Sequence, residues 1–307
     1  QAMILETDFK APAFFGLARR KPAYVRTGVV HKIADGKGKS FFDRVEWGGG
    51  KELKPGEEGM AIFEVSVPVR GCFRQGEFAV GGKIWPVKIS IADKTLPKKF
   101  STYIDFWQHP WAVSRFFKVT PFSKEHYEKM RPIWTELGDL GQKALTVTIL
   151  DKPWNHQCED AYLSMIGKVK KADGTWHYDY ALFDAYVEFG RSCGIGPDIA
   201  CYTMCPWGNI VNWQDEAGNL VTKLACAGSA AFYEYWKPFL ADFQKHLEAK
   251  GWAQDTFIAL DERKPEEMKA IADLVRAAAP KLKIAAAGNM APSLYEGIVL
   301  DNFSLAL

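Results

Sequence analysis

Roughly the first hundred residues carry short apolar runs between turn residues, with no 3.6-residue repeat among them. Apolar positions alternate in part between Gly59 and Val69 (Met60, Ile62, Val65, Val67), and again from Glu77 to Ile91 beyond Arg70-Gly71. Gly48-Gly49-Gly50 and Pro55-Gly56 break the chain between such runs. This spacing predicts a small antiparallel β-sandwich domain over residues 1–98, ending near Leu96-Pro97-Lys98-Lys99.

From Phe100 the rhythm changes. Continuous apolar runs at Ser101–Phe106, Ala144–Ile149, Ile199–Met204, Thr256–Leu260, Ile284–Ala287 and Asn302–Leu307 read as strands. Helical stripes separate them. The clearest joins Phe232, Tyr235, Trp236, Phe239, Leu240, Phe243 and Leu247, with Ser229 as its cap. Leu182, Phe183, Tyr186, Phe189 and Cys193 repeat the pattern, as do Met268, Ile271, Leu274 and Val275 behind Pro265. Pro132 and Pro238 fall inside such stripes, and a kink or late start is expected at each.

Alternating strands and helices predict an α/β fold with a parallel sheet covered by helices. A doubly wound sheet would place a Gly-rich loop after its first strand, whereas Trp107-Gln108-His109-Pro110-Trp111 contains no glycine. The expectation is a (β/α)8-type (TIM-like) barrel over residues 99–307, truncated after its sixth strand. Its missing strands would lie in a C-terminal segment or alongside the chain, and exchange between two copies is a further arrangement. Two connections look like hairpins raised from strand C-termini. One flanks Asp173-Gly174 (Lys168–Lys171 with Thr175–Tyr178), and the other flanks Ala217-Gly218-Asn219 (Ile210–Trp213 with Leu220–Leu224).

Charge and composition narrow the function classes. Lys plus Arg number 39 against 37 Asp plus Glu, so nothing electrostatic draws the chain to nucleic acid or an anionic membrane. No apolar run reaches the ~20 residues of a membrane-spanning helix. Aromatic residues make up 14%, with 11 Trp, which suits either a Trp-rich core or the apolar faces of sugars. Six scattered cysteines without a C-x-x-C pair suggest free thiols, and neither a catalytic metal nor a cofactor is expected. The N-terminus carries no secretory signal pattern, so the compartment is not readable.

Barrel enzymes build their sites at strand C-termini. The residues that follow the expected strands are Trp107, Gln108, His109 and Arg115; Trp154, Asn155 and His156; Tyr202 and Trp207; Asp261 and Glu262; and Asn289. Amides, aromatic rings and a carboxylate pair, with few cations, suit a neutral ligand rich in hydroxyls. Asp261-Glu262 is the sharpest feature. Glycosidic cleavage needs an acid for the leaving oxygen and negative charge beside an oxocarbenium ion. Two adjacent charges are costly, so a buried glutamic acid beside an aspartate is expected to hold its proton near neutrality. On spacing alone, Asp261 could equally cap the next helix while Glu262 pairs with Arg263 or Lys264.

Several motifs agree, in order, with one family. The run from Tyr103 through Trp107-Gln108-His109-Pro110-Trp111 to Val113 resembles the first barrel strand of glycoside hydrolase family 123. Cys201-Tyr202-Thr203-Met204-Cys205-Pro206-Trp207, Ile258-Ala259-Leu260-Asp261-Glu262-Arg263 and Ala286-Ala287-Gly288-Asn289 resemble later ones, and the likeness runs from about residue 60 to the end. The resemblance implies a β-N-acetylgalactosaminidase acting on glycans with terminal N-acetylgalactosamine, outside the cytoplasm. It implies retaining, substrate-assisted hydrolysis in which the 2-acetamido oxygen attacks the anomeric carbon. Asp261 would orient the acetamido N–H, and Glu262 would protonate the leaving oxygen and later activate water. His109, Gln108, Arg115, Trp154, Tyr202, Trp207 and Asn289 would line the pocket. A β-N-acetylglucosaminidase of similar mechanism and a non-catalytic glycan-binding barrel are the rival readings.

Overall fold

The computed structural model describes residues 3–5, 7–10, 24–48, 50–66, 75–80, 82–88, 101–155, 157–289 and 292–305. The chain divides into two compact units, Gln1–Lys98 and Lys99–Leu307. The first is built of antiparallel pairs among β1 (Met3–Leu5), β2 (Thr7–Lys10), β3 (Tyr24–Ala34), β4 (Ser40–Trp47), β5 (Lys51–Leu53), β6 (Met60–Ser66), β7 (Gln75–Val80) and β8 (Lys83–Lys88). Two three-stranded sheets, ordered β4-β3-β6 and β2-β7-β8, touch through Phe63 and Phe78, whose ring centroids are 4.1 Å apart. Val29 and Leu53 form the small buried core between Ala61 and Val80. The alternating stretch from Glu77 resolves into β7 and β8, turned at Gly82 (φ +76°), a backbone state that L side chains resist. Arg70-Gly71, Cys72 and Leu96–Lys99 lie outside the described residues.

In the second unit the strands are β9 (Ala144–Thr148), β10 (Gly167–Lys170), β11 (Trp176–Asp179), β12 (Asp198–Tyr202), β13 (Ile210–Asp215), β14 (Leu220–Leu224), β15 (Thr256–Asp261), β16 (Lys283–Gly288) and β17 (Asn302–Leu305). The helices are α1 (Pro110–Phe117), α2 (Lys124–Asp139), α3 (Ala181–Ser192), α4 (Ala230–Lys250) and α5 (Pro265–Ala278). Five strands form a parallel sheet in the order β9-β12-β15-β16-β17. Neighbours follow chain order without the reversal of a doubly wound sheet, and all strand C-termini reach one edge. β9 is buried throughout and β15 is buried up to Leu260, which explains their unbroken apolar reading.

The sheet does not close into a barrel among the described residues. The expected first strand also differs. Ser101–Phe106 is not a strand and makes a single parallel bridge, Ile104 with Gln142. Side chains take over its pairing: Gln142 Oε1 accepts from Phe106 N–H at 3.0 Å, and Gln142 Nε2 donates to Phe106 O at 3.1 Å. An amide side chain thus replaces a strand ladder.

The helical expectations fare better. Ser229 caps α4, accepting from Phe232 N–H at 3.2 Å, and the predicted stripe from Phe232 to Leu247 is buried. α2 and α4 run through Pro132 and Pro238 without ending, so neither proline delays a helix start. Both hairpins form, and parallel pairing of Val169 with Gln214 joins them into one sheet, β11-β10-β13-β14.

Lys168 anchors that sheet. Its Nζ donates to Ile149 O at 2.5 Å and Ser164 Oγ at 3.3 Å, and lies 5.1 Å from the Phe239 ring centroid. Burial lowers its pKa to about 7, although Asp151 nearby favours the charge. The unfolded side chain keeps its proton to about pH 10.5, so unfolding takes up a proton between these values. Stability gains from this group as pH rises from about 7, and the burial penalty is complete below that. Urea midpoints compared at about pH 6.5 and 9.5 should show this rise, and Lys168→Met should flatten it. An equal slope in the variant would contradict the assignment.

Candidate active site

β15 delivers Asp261 to the C-terminal edge of the sheet, paired with Ala287 of β16. Adjacent side chains of a strand point to opposite faces. Glu262 escapes that alternation, because its φ of +47° lies in the left-handed region. A non-glycine residue there is strained by about 1 kcal/mol or more. Its N–H still donates to Ala287 O at 2.8 Å, so the β15–β16 ladder holds the turned residue in place. Asp261 does not cap α5. That role falls to the Glu267 carboxylate, which accepts from Lys264 N–H at 3.2 Å. Among the described residues neither Arg263 nor Lys264 forms an ion pair with Glu262.

The Asp261 carboxyl meets Trp207, whose indole Nε1–H donates to Oδ2 at 3.2 Å. Burial raises the Asp261 pKa, with the Glu262 charge adding to it, while the Trp207 bond and Arg263 work against the rise. Trp154 Nε1 faces the same carboxyl, but it is buried without a hydrogen bond of ordinary geometry. Tyr202, 4% exposed, ends β12 beside them, and burial with the charges of Asp105 and Asp261 pushes its phenol well up. Trp107 completes the cluster, with its centroid 4.8 Å from Tyr202 and 5.1 Å from Trp154. Trp207 and Trp107 stay partly open to solvent, as a wall contacting a ligand must.

The remaining expected residues separate. His109 stacks on Tyr162 at 3.7 Å, and its Nε2–H donates to Asp160 O at 3.0 Å. Tyr162 in turn packs on Trp154 at 4.8 Å, so His109 supports the cluster from behind. Gln108 is 3% exposed and is taken up by backbone: its Oε1 accepts from Thr146 N–H at 2.7 Å and its Nε2 donates to Phe106 O and Ala144 O. It holds the 101–108 segment against β9 and has no free group for a ligand. Arg115 Nε donates to both Asp160 oxygens at 2.7 Å, which turns its charge away. Asn289 follows β16 at the same edge and is exposed. His156 lies outside the described residues.

Sequence reasoning passed over Tyr162, Arg263 and Tyr295. Arg263 is only 7% exposed, its Nε donates to Asp261 O at 2.9 Å, and its guanidinium lies 4.8 Å from the Trp207 centroid. Tyr295 Oη donates to Arg263 O at 3.2 Å. No group of three or more His, Cys, Asp or Glu side chains able to hold a metal occurs among the described residues. The arrangement offers two adjacent carboxyl side chains in an aromatic, largely neutral enclosure.

The Trp207 bond yields a direct test. Trp207→Phe keeps a ring for Arg263 and removes the one hydrogen bond to Oδ2 found among the described residues. The ionised form loses support, so the Asp261 midpoint should move up, as read by carboxyl ¹³C NMR. An unmoved midpoint would show that the indole does not hold this charge.

No curated protein matches the sequence significantly. A solved family 123 glycoside hydrolase from Clostridium perfringens is similar over 92% of this chain and 54% of its own, with 24% identity and a TM-score of 0.79. The chain therefore spans about half the length of that protein. A second structure, from Bacteroides fragilis, covers 88% of this chain and 35% of its own at 10% identity, and its TM-score of 0.25 supports no conclusion. Residues 107–306 match the catalytic domain of glycoside hydrolase family 123, and the chain belongs to that family.

Proposed function

We propose that this chain is a retaining β-N-acetylgalactosaminidase whose Lys99–Leu307 unit forms most of a (β/α)8-type barrel and follows, in the chain, a β-sandwich-like domain. The observation that carries the reading is Asp261-Glu262 at the sheet's C-terminal edge, freed from strand alternation by the left-handed Glu262. Family membership supports glycoside hydrolysis, and the Clostridium perfringens relative is described as hydrolysing glycolipid glycans. A glycan carrying terminal N-acetylgalactosamine is the substrate we infer.

Two neighbouring carboxyls suit a sugar that supplies its own nucleophile, because C1 and C2 are adjacent. Asp261 accepts from the acetamido N–H and directs the carbonyl oxygen at C1. That oxygen bonds to C1 as the C1–O bond to the aglycone breaks, and Glu262 gives its proton to the departing oxygen. Water then attacks C1 of the oxazolinium, Glu262 takes the water's proton, and the acetamido group re-forms with net retention. Separations diagnostic of two-carboxylate mechanisms do not apply, since neither side chain attacks C1. Tyr202, Trp154 and Trp207 would form the aromatic side of the sugar pocket, with Trp207 the most open of the three.

Side-by-side hydrolysis of aryl β-glycosides of N-acetylgalactosamine and N-acetylglucosamine tests the substrate, and faster cleavage of the second would favour a glucosaminidase. Glu262→Gln should lose ~10²–10⁴-fold on substrates with poor leaving groups and less on activated aryl glycosides. Wild-type cleavage of natural glycans by this variant would overturn the acid's role. A covalent glycosyl-enzyme on either carboxylate would overturn the nucleophile's.

A further inference from the structure

Arg263 is a charged side chain taken almost wholly out of water, yet among the described residues it has no carboxylate within ion-pair distance. A buried charge without a partner is expensive, so its surroundings must answer it in another way. They do so with a closed circuit. Arg263 Nε–H holds the Asp261 backbone carbonyl at 2.9 Å. Its guanidinium lies against the Trp207 ring at 4.8 Å. The Trp207 N–H then returns to the Asp261 carboxyl at 3.2 Å. Three contacts thus fix one carboxyl from its backbone, from its acceptor oxygen and through the ring between them. Tyr295 pins the Arg263 carbonyl, and Cys205 lies beside the guanidinium.

We infer that Arg263 is a positioning residue that sets the orientation and the ionisation of Asp261 through Trp207, without touching the substrate. The cation at the indole face draws electron density from the ring, which makes Nε1–H a stronger donor to a carboxylate. It also supports the Asp261 charge directly. The groups facing Asp261 are Glu262, Tyr202, Trp207, Trp154 and Arg263, and burial raises its pKa above the ordinary carboxylate value. Within this set Arg263 is the lone cation, so its loss leaves the rise from burial and from Glu262 less opposed. The acid limb of any Asp261-dependent activity should then move to higher pH. This inference rests on the assignment of Asp261 to catalysis for its consequence in turnover, though not for the electrostatic effect itself.

The experiment follows the Trp207 indole ¹H–¹⁵N resonance against pH in the full chain, with Trp207→Phe identifying the peak. The same chains are assayed for kcat/KM against pH on an aryl β-N-acetylgalactosaminide. Arg263→Gln should raise the indole titration midpoint by about one pH unit, within the range expected for loss of a nearby opposite charge. Asp261→Asn should abolish that titration. Arg263→Lys keeps the charge but loses the flat fork, so it should move the midpoint less than Gln does while still lowering kcat. The Lys variant also carries the test if Gln fails to fold. Midpoints at the wild-type value in every folded variant would overturn the inference, even if activity fell. If the wild-type chain does not cleave the glycoside while the midpoints move as stated, the functional reading fails and the coupling stands.

Discussion

A carboxyl half withdrawn from water at the end of a buried strand is the constraint around which this site is organised. Asp261 sits one residue beyond Leu260, which is fully buried, so its ionised form loses solvation that something must replace. Replacement comes from an indole N–H donor and from the charge of a guanidinium held against that indole. The next residue adds a second carboxyl. Burial and that neighbour push the Asp261 pKa up, while the Trp207 bond and the Arg263 charge push it down.

The scaffold's share of this arrangement is directional. Parallel strands in chain order put the ends of β9, β12, β15 and β16 along one edge, so residues distant in sequence meet there. The ladder contact from Glu262 to Ala287 continues one residue past the last extended position. It holds a left-handed backbone that would otherwise relax. The fused hairpin sheet, held by Lys168 and packed on α4, backs the loops that carry Trp154 and Trp207.

Much of this was legible in the sequence, and the reasons divide cleanly. Strands buried on both faces announce themselves as unbroken apolar runs, as β9, β12 and β15 did, while β16, whose burial alternates, was readable from its run of small apolar residues. The helix behind Ser229 and both hairpins were readable because caps, periodicity and turn residues are local signals. Ser101–Phe106 misled because it is apolar enough for a strand, while its pairing is made by the amides of Gln142 and Gln108. Side-chain mimicry of backbone has no periodicity. Gln108 was therefore put in the right place with the wrong task, and Arg115 was missed as the partner of Asp160. Asp261-Glu262 stood out by adjacency at the end of an apolar strand, within a motif resembling the family's. Arg263 did not, because a cation stacked on a ring 56 positions earlier is a tertiary fact that no local pattern encodes.

In the proposed mechanism the Asp261-Glu262 pair directs the sugar's own acetamido oxygen, and neither carboxylate attacks C1. Replacing the 2-acetamido group of an aryl β-N-acetylgalactosaminide by mono-, di- and trifluoroacetamido groups weakens that oxygen as a nucleophile while leaving the leaving group unchanged. With the acetamido oxygen as nucleophile, kcat should fall progressively and steeply across the series, in the wild-type protein at its best pH. A flat series would mean that a side chain attacks C1, and the roles given to Asp261 and Glu262 would be wrong.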